Sequence, residues 1–235
     1  MRTDPRISAT KLAEYMSTAS FARKRAILQE QKYPQEVATV RWTQAEGPAA
    51  QFVANGTTDL SFIDKAIAKL AAVDADTEFK IQNRDLCVEA LEKFKLLSNQ
   101  LAFAEFRRSR GPSNKSMPIT INGVAVSVLP HVVLEGVTQK GERVVGGVKF
   151  SFPKTHPLNE ISAGYLSALI HWHCEEYLPQ LGRADMRLCH AVDVPTSTVF
   201  KPPNSYKRRR QYLVEACAEI AQRWPQVPPP KNHQP

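Results

Sequence analysis

A change from helical to strand periodicity in the middle of the chain constrains its fold more than any other feature. Two short apolar segments that alternate as β-strands do, 119–121 and 124–128, flank Asn122 and Gly123. An Asn-Gly pair in this setting is the strongest short-range signal for a β-hairpin. We therefore expect a hairpin here, with its second strand extended through 132–134.

The sequence before the hairpin has the periodicity of helices. Ser8, Ser20 and Asp59 precede apolar residues at helical spacing, and all three are suitable N-cap residues. A longer amphipathic pattern over 77–108 predicts a long helix. We interpret residues 1–75 as a helical N-terminal region.

Helical and strand patterns alternate after the hairpin. They predict, in order, a strand over 144–152, a helix over 159–177, strands over 187–194 and 198–200, and a helix over 205–224. The order αβββαβ within 76–224 predicts an α/β core with a central mixed sheet flanked by helices. The helix between the third and fourth strands is expected to be a right-handed crossover. The proline-rich segment 225–235 is expected to be an extended or disordered tail.

An excess of basic residues indicates which partners are favoured. The chain has 31 Lys and Arg against 23 Asp and Glu, a formal charge of +8. Such an excess favours polyanions such as DNA or RNA. A basic protein without a polyanion partner, or one that binds only another protein, is the alternative.

Four consecutive basic residues open the last predicted helix. They are Lys207, Arg208, Arg209 and Arg210. Cations there oppose the helix dipole, which favours anions at an N-terminus, so this run is a candidate site for nucleic-acid phosphates. A solvated face, or an anchor to acidic residues of the same chain, would also explain the run.

Several common kinds of site have no support in the sequence. The chain contains no GxSxG, P-loop or GxGxxG motif, and its four cysteines lack zinc-type spacing. His171 and Cys174 have workable spacing for a metal, but without a second cluster we interpret them as structural. No apolar run approaches the ~18 residues of a membrane-spanning helix. We expect a cytoplasmic protein with reduced thiols and no membrane association.

Two short motifs on neighbouring predicted strands are candidate site residues. Pro130 and His131 follow one strand, and Gly147 and Lys149 lie in the next. Together with the αβββαβ order, these motifs resemble those of the PD-(D/E)XK nuclease superfamily, in particular its RecB-like and phage exonuclease branches. The resemblance covers about residues 80–224.

The resemblance implies metal-dependent phosphodiester cleavage, with Mg²⁺ or Mn²⁺ held by carboxylates. It implies that Lys149 is the catalytic lysine and that His131 stands at a metal-ligand position, where the family has aspartate. It also implies that Glu89 or Glu92 supplies the acid of the preceding helix. Gly147 stands at the family's second acid and has no side chain to offer.

Further residues around these motifs bear on the expected site. Tyr165 matches a tyrosine that the resemblance places among the nucleic-acid-binding residues. Glu135 lies four residues beyond His131 on the same strand face and is one candidate for a replacement acid. Asp193, in an otherwise apolar strand, is another candidate, although it could instead cap the turn at Pro195.

The sequence therefore predicts a bacterial or phage protein that binds nucleic acid on a nuclease-like scaffold. Its site is either built from atypical metal ligands or degenerate. The alternative is a catalytically inactive nuclease-fold protein that acts as a binding or assembly subunit, or as an inhibitor in phage–host conflict.

Overall fold

A computed structural model gives the fold of residues 1–34, 42–101, 103–112 and 117–230. These residues form a mixed α/β structure, which confirms the predicted fold class. The helices are α1 (Ala9–Ser17), α2 (Phe21–Lys32), α3 (Thr43–Asn55), α4 (Ser61–Ala71), α5 (Glu78–Leu97), α6 (Glu160–Tyr177) and α7 (Tyr206–Arg223). The strands are β1 (Arg6–Ser8), β2 (Arg107–Arg110), β3 (Ile119–Ile121), β4 (Val124–Ser127), β5 (Val132–Val137), β6 (Arg143–Ser151), β7 (Arg183–Asp193) and β8 (Thr198–Phe200).

The strands of the described residues form two sheets. The larger has five strands in the order β2-β5-β6-β7-β8, and the smaller has three in the order β1-β4-β3. In the larger sheet β5 is antiparallel to both β2 and β6, whereas β6 and β7 are parallel and are connected through α6. The predicted helix between two parallel strands is therefore present.

The hairpin is present where the sequence predicts it. β3 and β4 are antiparallel neighbours, and the residues between them, Asn122 and Gly123, have φ angles of 45° and 78°. Both angles lie in the left-handed region that a type I′ turn requires, which is the reason that Asn-Gly favours this turn.

The predicted extension of the second hairpin strand through 132–134 is wrong. β4 ends at Ser127 and pairs with β1 and β3, whereas β5 begins at Val132 and pairs with β2 and β6. Pro130 lies in the crossing between the two sheets. A proline has no N–H to donate to a sheet, so it favours a break in pairing at this point.

The predicted helix starts at the N-terminus are confirmed by their caps. The Ser8 hydroxyl accepts a hydrogen bond from the Lys11 N–H at 3.3 Å, and the Ser20 hydroxyl accepts one from the Arg23 N–H at 3.2 Å. The predicted cap at Asp59 is displaced by one residue: the N-cap position of α4 is Leu60, and the Asp59 carboxylate accepts a hydrogen bond from the Ser61 N–H at 2.9 Å. Each cap satisfies a backbone donor that the helix itself cannot.

Two other predicted boundaries are wrong. The helix predicted over 77–108 ends at Leu97, and Arg107–Arg110 is a strand that pairs with β5. The segment predicted as a free tail is packed at its start, since Trp224–Gln226 forms a 3₁₀ turn and Val227 is buried. The end of that predicted tail, 231–235, lies outside the described residues.

Helices cover both faces of the five-stranded sheet. One face packs against α3, α4 and α5 through side chains that include Val148 and Phe150. The opposite face packs against α1, α2, α6, α7 and the small sheet through side chains that include Val145 and Ala191. Side chains of β6 therefore point alternately into two different hydrophobic cores.

Candidate functional site

Lys149 lies in the middle strand of the large sheet, two residues before the end of β6. It pairs with Ala191 of β7, and its Nζ donates a hydrogen bond to the carbonyl oxygen of Leu129 at 2.9 Å. Its neighbours Val148 and Phe150 face α5, so strand alternation directs Lys149 toward the α6 face. The lysine thus holds the chain where it crosses from the small sheet to the large one.

His131 also holds this crossing. Its backbone N–H donates to the Val148 carbonyl at 2.8 Å, and its Nδ1 accepts a hydrogen bond from the Phe150 N–H at 3.0 Å. The imidazole is nearly parallel to the Phe150 ring, with 5.4 Å between centroids. Backbone pairing between β5 and β6 stops here, so the imidazole accepts the Phe150 hydrogen bond that a backbone carbonyl would otherwise accept.

The two motif residues do not face one pocket. Because the His131 imidazole stacks on Phe150, it lies on the α5 face of the sheet, whereas the adjacent Lys149 is directed toward α6. Burial, and then the charges of Lys149 and Arg110, hold the pKa of His131 well below its usual value. The ring is neutral, and its Nδ1 lone pair is already used by Phe150.

Glu46, a residue of α3, is the acid whose charge acts on Lys149. Its position in the sequence did not mark it as a site residue. Burial lowers the pKa of Lys149 to about 8, although Glu46 acts in the opposite direction. Burial likewise raises the pKa of Glu46, and Lys149 opposes that change. Lys149 keeps some accessible surface, yet for both groups desolvation outweighs their mutual attraction.

The helix acids expected from the resemblance lie elsewhere. Glu89 forms an ion pair with Lys154, and Glu92 forms one with Lys95 at 3.2 Å. Their side chains are 45% and 52% exposed, because α5 buries a different stripe that includes Leu91. Each acid is therefore engaged by a lysine, and neither belongs to a group of side chains among the described residues that could hold a metal ion.

Gly147 has no room for the missing second acid. A Cβ atom built on Gly147 would lie 2.9 Å from Cβ of Pro130, 3.2 Å from the carbonyl oxygen of Val132 and 3.3 Å from Cγ2 of Ile170. The space that a carboxylate would need is filled by apolar side chains and backbone. The glycine is required by the close approach of α6 and the crossing segment.

The replacement acids are also occupied. Asp193 accepts hydrogen bonds from the Leu158 N–H at 2.9 Å and from the Thr196 N–H and hydroxyl at 3.2 and 2.7 Å. The capping alternative is therefore the observed one. Glu135 lies toward the far end of β5, 3.9 Å from Arg107.

These residues do not fit a magnesium or manganese centre. In the part of the chain that the structure describes, no three His, Cys, Asp or Glu side chains are grouped so that they could hold a metal ion. Mg²⁺ needs several oxygen ligands in a near-octahedral arrangement. Dependence on Mg²⁺ or Mn²⁺ remains a prediction from the resemblance alone.

The basic run at the start of α7 is a second candidate site, and two of its arginines are held by the protein itself. Arg210 donates to a Glu175 carboxylate oxygen at 2.5 Å, and its other nitrogen lies 2.6 Å from Nδ1 of His171. The guanidinium of Arg209 lies 5.1 Å from the ring centre of Tyr165. Tyr165 is buried beneath it.

The first two residues of the run face solvent. Lys207 and Arg208 are exposed, and Arg208 is oriented by its Nε hydrogen bond to the Tyr212 hydroxyl at 2.6 Å. The N-cap residue, Ser205, makes no side-chain cap, so the backbone N–H groups of the first turn lack that usual partner. Arg210 is therefore an anchor to an acidic residue of the same chain, which was one of the explanations considered for the basic run. Lys207 and Arg208 remain exposed and available to bind a ligand.

The helices of the described residues include none long and apolar enough to cross a membrane. No model of a known protein family matches the chain, and a search of curated proteins finds no match either. The assignment of a function therefore depends on the residues themselves.

The lowered pKa of Lys149 predicts a specific pH dependence of stability. An unfolded lysine titrates near pH 10.4, so between about pH 8 and that value the unfolded chain binds more protons than the folded one. The free energy of unfolding should therefore rise with pH across this window, by at most about 1.4 kcal/mol per pH unit from this group.

Denaturant unfolding of the wild type and of Lys149→Met from pH 7 to 10.5 measures this effect as a difference between the two proteins. We expect a constant difference below about pH 8 and an increasing advantage of the wild type above it. Lys65→Met, which removes an exposed lysine of α4, should show no such change. A flat difference across the whole range would contradict the burial of the Lys149 ammonium.

Proposed function

We propose that this protein binds nucleic acid through phosphate contacts at the first turn of α7 and does not cleave it. The proposal keeps the nucleic-acid partner expected from the sequence and adopts the inactive form of the nuclease-like hypothesis. Membership of the PD-(D/E)XK superfamily is part of this proposal, since it is supported by strand order and by two short motifs only.

One observation carries the binding part of the proposal. Lys207 and Arg208 are exposed beside an N-terminus that has no side-chain cap. Backbone N–H groups and the helix dipole favour an anion at this position, and two solvent-facing cations add to that preference. A phosphate group supplies the acceptor oxygens that both kinds of donor need.

The tyrosines near the run support phosphate contact rather than base stacking. Tyr206 packs against His171 at 4.5 Å between ring centres, and the hydroxyl of Tyr212 is bound to Arg208. Tyr165 is covered by Arg209. Because these rings already contact other protein groups, they are not available to stack on bases. We therefore expect binding with little sequence preference.

The absence of cleavage is supported by the crossing between the two sheets. His131 and Lys149 use their polar atoms to hold that crossing, and Gly147 is enclosed by apolar groups. Cleavage by this class of enzyme needs carboxylates that position metal ions. The described residues bring none of the expected acids to the motif.

Binding is tested by the double substitution Lys207→Ala and Arg208→Ala. We expect the affinity for a labelled DNA duplex of mixed sequence to fall, and the slope of log K against log salt to become shallower by about two, because two phosphate contacts are lost. Fluorescence anisotropy at several salt concentrations measures both quantities. The same measurement on single-stranded DNA and on RNA identifies the preferred strand.

The matched control is Lys65→Ala with Lys69→Ala, two exposed lysines of α4 whose loss changes the net charge equally. This control should leave the salt slope nearly unchanged. Equal effects of the two double substitutions would show that only net charge matters, and would contradict a site on α7.

Cleavage is tested separately with Mg²⁺ and with Mn²⁺ on single- and double-stranded DNA. We expect no products from the wild type. Metal-dependent products that disappear in Lys149→Met would restore the nuclease hypothesis and overturn this part of the proposal.

A further inference from the structure

The outer strand of the large sheet, β2, has one unpaired edge. It pairs with β5 on one side, and no other strand of the described residues pairs with it. Three of its four residues are arginines, and Arg107, Ser109 and Arg110 are exposed. An exposed strand edge presents backbone donors and acceptors that another extended segment can use.

The pairing with β5 determines which backbone groups point outward. The Gly111 N–H donates to the His131 carbonyl at 2.9 Å, so residue 111 faces β5. Because backbone groups alternate between the two sides of an antiparallel strand, Ser109 and Arg107 also face β5. The N–H and C=O groups of Arg108 and Arg110 are therefore the ones directed to the open edge.

The charges of β2 select the kind of segment that could pair there. The Arg107 side chain is 81% exposed, and its nearest carboxylate, that of Glu135, is 3.9 Å away. Arg110 is exposed, and the nearby His131 is neutral. Arg108 packs its guanidinium against Gly56, at the C-terminus of α3. Arg107 is already paired with Glu135, so Arg110 carries the open charge.

A second copy of this edge would be repelled, because paired β2 strands would place arginine beside arginine. An acidic strand would instead form cross-strand pairs of opposite charge. The open edge and its charge thus favour the same occupant, an extended segment with acidic residues.

We propose that the free edge of β2 binds an extended acidic peptide of a partner protein by strand addition. The peptide would exchange hydrogen bonds with the backbone of Arg108 and Arg110, and carboxylates on one of its faces would contact the Arg110 side chain. Backbone pairing supplies affinity in this mode, and side-chain charge supplies selectivity. This surface is formed by β2 and not by α7, so the inference does not depend on the proposed function.

The test uses a fluorescein-labelled octapeptide that alternates aspartate with threonine, a residue that favours extended structure. Two control peptides accompany it. One has asparagine in place of aspartate, and the other carries N-methyl groups on alternate residues, which remove the hydrogen bonds of one edge. Fluorescence anisotropy at low and high salt gives the three affinities.

We expect the acidic peptide to bind and the N-methylated peptide to bind about fivefold or more weakly, since at least one net hydrogen bond is lost. The asparagine peptide should also bind more weakly, with little dependence on salt. Equal affinities of the acidic and N-methylated peptides would overturn the proposal, because attraction between charges alone would then explain the binding.

Substitutions at Arg110 separate the backbone contribution from the charge. Arg110→Ala removes only the charge, whereas Arg110→Pro also removes the outward N–H. We expect Arg110→Pro to bind the acidic peptide several-fold more weakly than Arg110→Ala. Should the proline variant fail to fold, as circular dichroism would show, the N-methylated peptide on the wild-type protein decides the same question.

Two further measurements fix the site and the class of partner. Lys207→Ala with Arg208→Ala should leave peptide affinity unchanged, and a loss there would overturn the assignment to β2. A single-stranded oligonucleotide that binds more weakly to Arg110→Ala, and that displaces the peptide, would assign this edge to nucleic acid and overturn the peptide proposal.

Discussion

Replacement of Lys32 by methionine is expected to lower the free energy of unfolding by about 3 kcal/mol. Lys32 is 6% exposed at the end of α2. Its Nζ donates to three carbonyl oxygens just beyond α7, those of Trp224 at 2.7 Å, Pro225 at 3.2 Å and Val227 at 3.2 Å. Methionine has a similar shape but no donor, so each of the three carbonyls would lose one hydrogen bond, and that of Pro225 would lose the one it receives from Lys32 without the second donor that Trp224 and Val227 keep.

Urea unfolding followed by circular dichroism measures this loss. Lys65→Met is the matched control, because it removes an equivalent charge from an exposed helix position, and we expect a change within about 0.5 kcal/mol. Hydrogen exchange should also show faster opening of residues 224–228 in Lys32→Met. A loss below about 1 kcal/mol would mean that water satisfies these carbonyls, and that Lys32 is not the anchor of this segment.

The substitution Gly147→Glu is expected to destabilise the protein by about 3 kcal/mol or more without creating a metal site. The new side chain would meet Pro130 and Ile170 and would place a carboxylate among apolar groups. Gly147→Ala should cost less, about 1–3 kcal/mol, since only the Cβ atom has to be accommodated. Thermal and urea unfolding measure both costs.

The matched control is Gly47→Ala. Gly47 lies in α3, and the position that an alanine methyl group would take there has no neighbouring atom within 4 Å. Alanine should therefore stabilise the helix by about 0.5–1 kcal/mol. Calorimetric titration with Mn²⁺ completes the test, applied also to His131→Asp combined with Gly147→Glu. A stable double variant that binds Mn²⁺ and cleaves DNA would contradict our description of the sheet crossing and revive the intact-site hypothesis.

The motif that suggested a nuclease has an identifiable structural role. Pro130 lies where pairing stops between the two sheets, His131 supplies the acceptor for Phe150, and Lys149 binds the carbonyl of Leu129. These contacts hold the point at which the chain leaves one sheet and enters the other. The same residue types in the same order can therefore serve folding without assembling a metal centre.

Local signals in the sequence predicted the elements that depend on local physics. Asn122 and Gly123 form the turn between β3 and β4 because few other residue pairs tolerate two positive φ angles. Ser8 and Ser20 cap their helices through contacts three residues away. Helix α6 begins at the capping box of Asn159 and ends at Tyr177, as its pattern indicates.

Features that depend on distant partners could not be predicted in this way. β2 has no apolar alternation, and it is a strand because β5 supplies its hydrogen bonds. Glu46 acts on Lys149 from a helix whose pattern in the sequence is weak. Glu89 and Glu92 have the expected chemistry, but the rotation of α5 about its axis turns both away from the motif.

The amino-acid sequence by itself determined the mixed α/β class, the hairpin, the helix caps and the basic charge, because each depends on composition or on contacts a few residues apart. Only the tertiary structure decided that Pro130 separates two sheets, that His131 and Lys149 leave the sheet on opposite faces, and that β2 closes one edge with arginines. Strand pairing and helix packing join residues far apart in the chain, and no short motif records which partner each one meets.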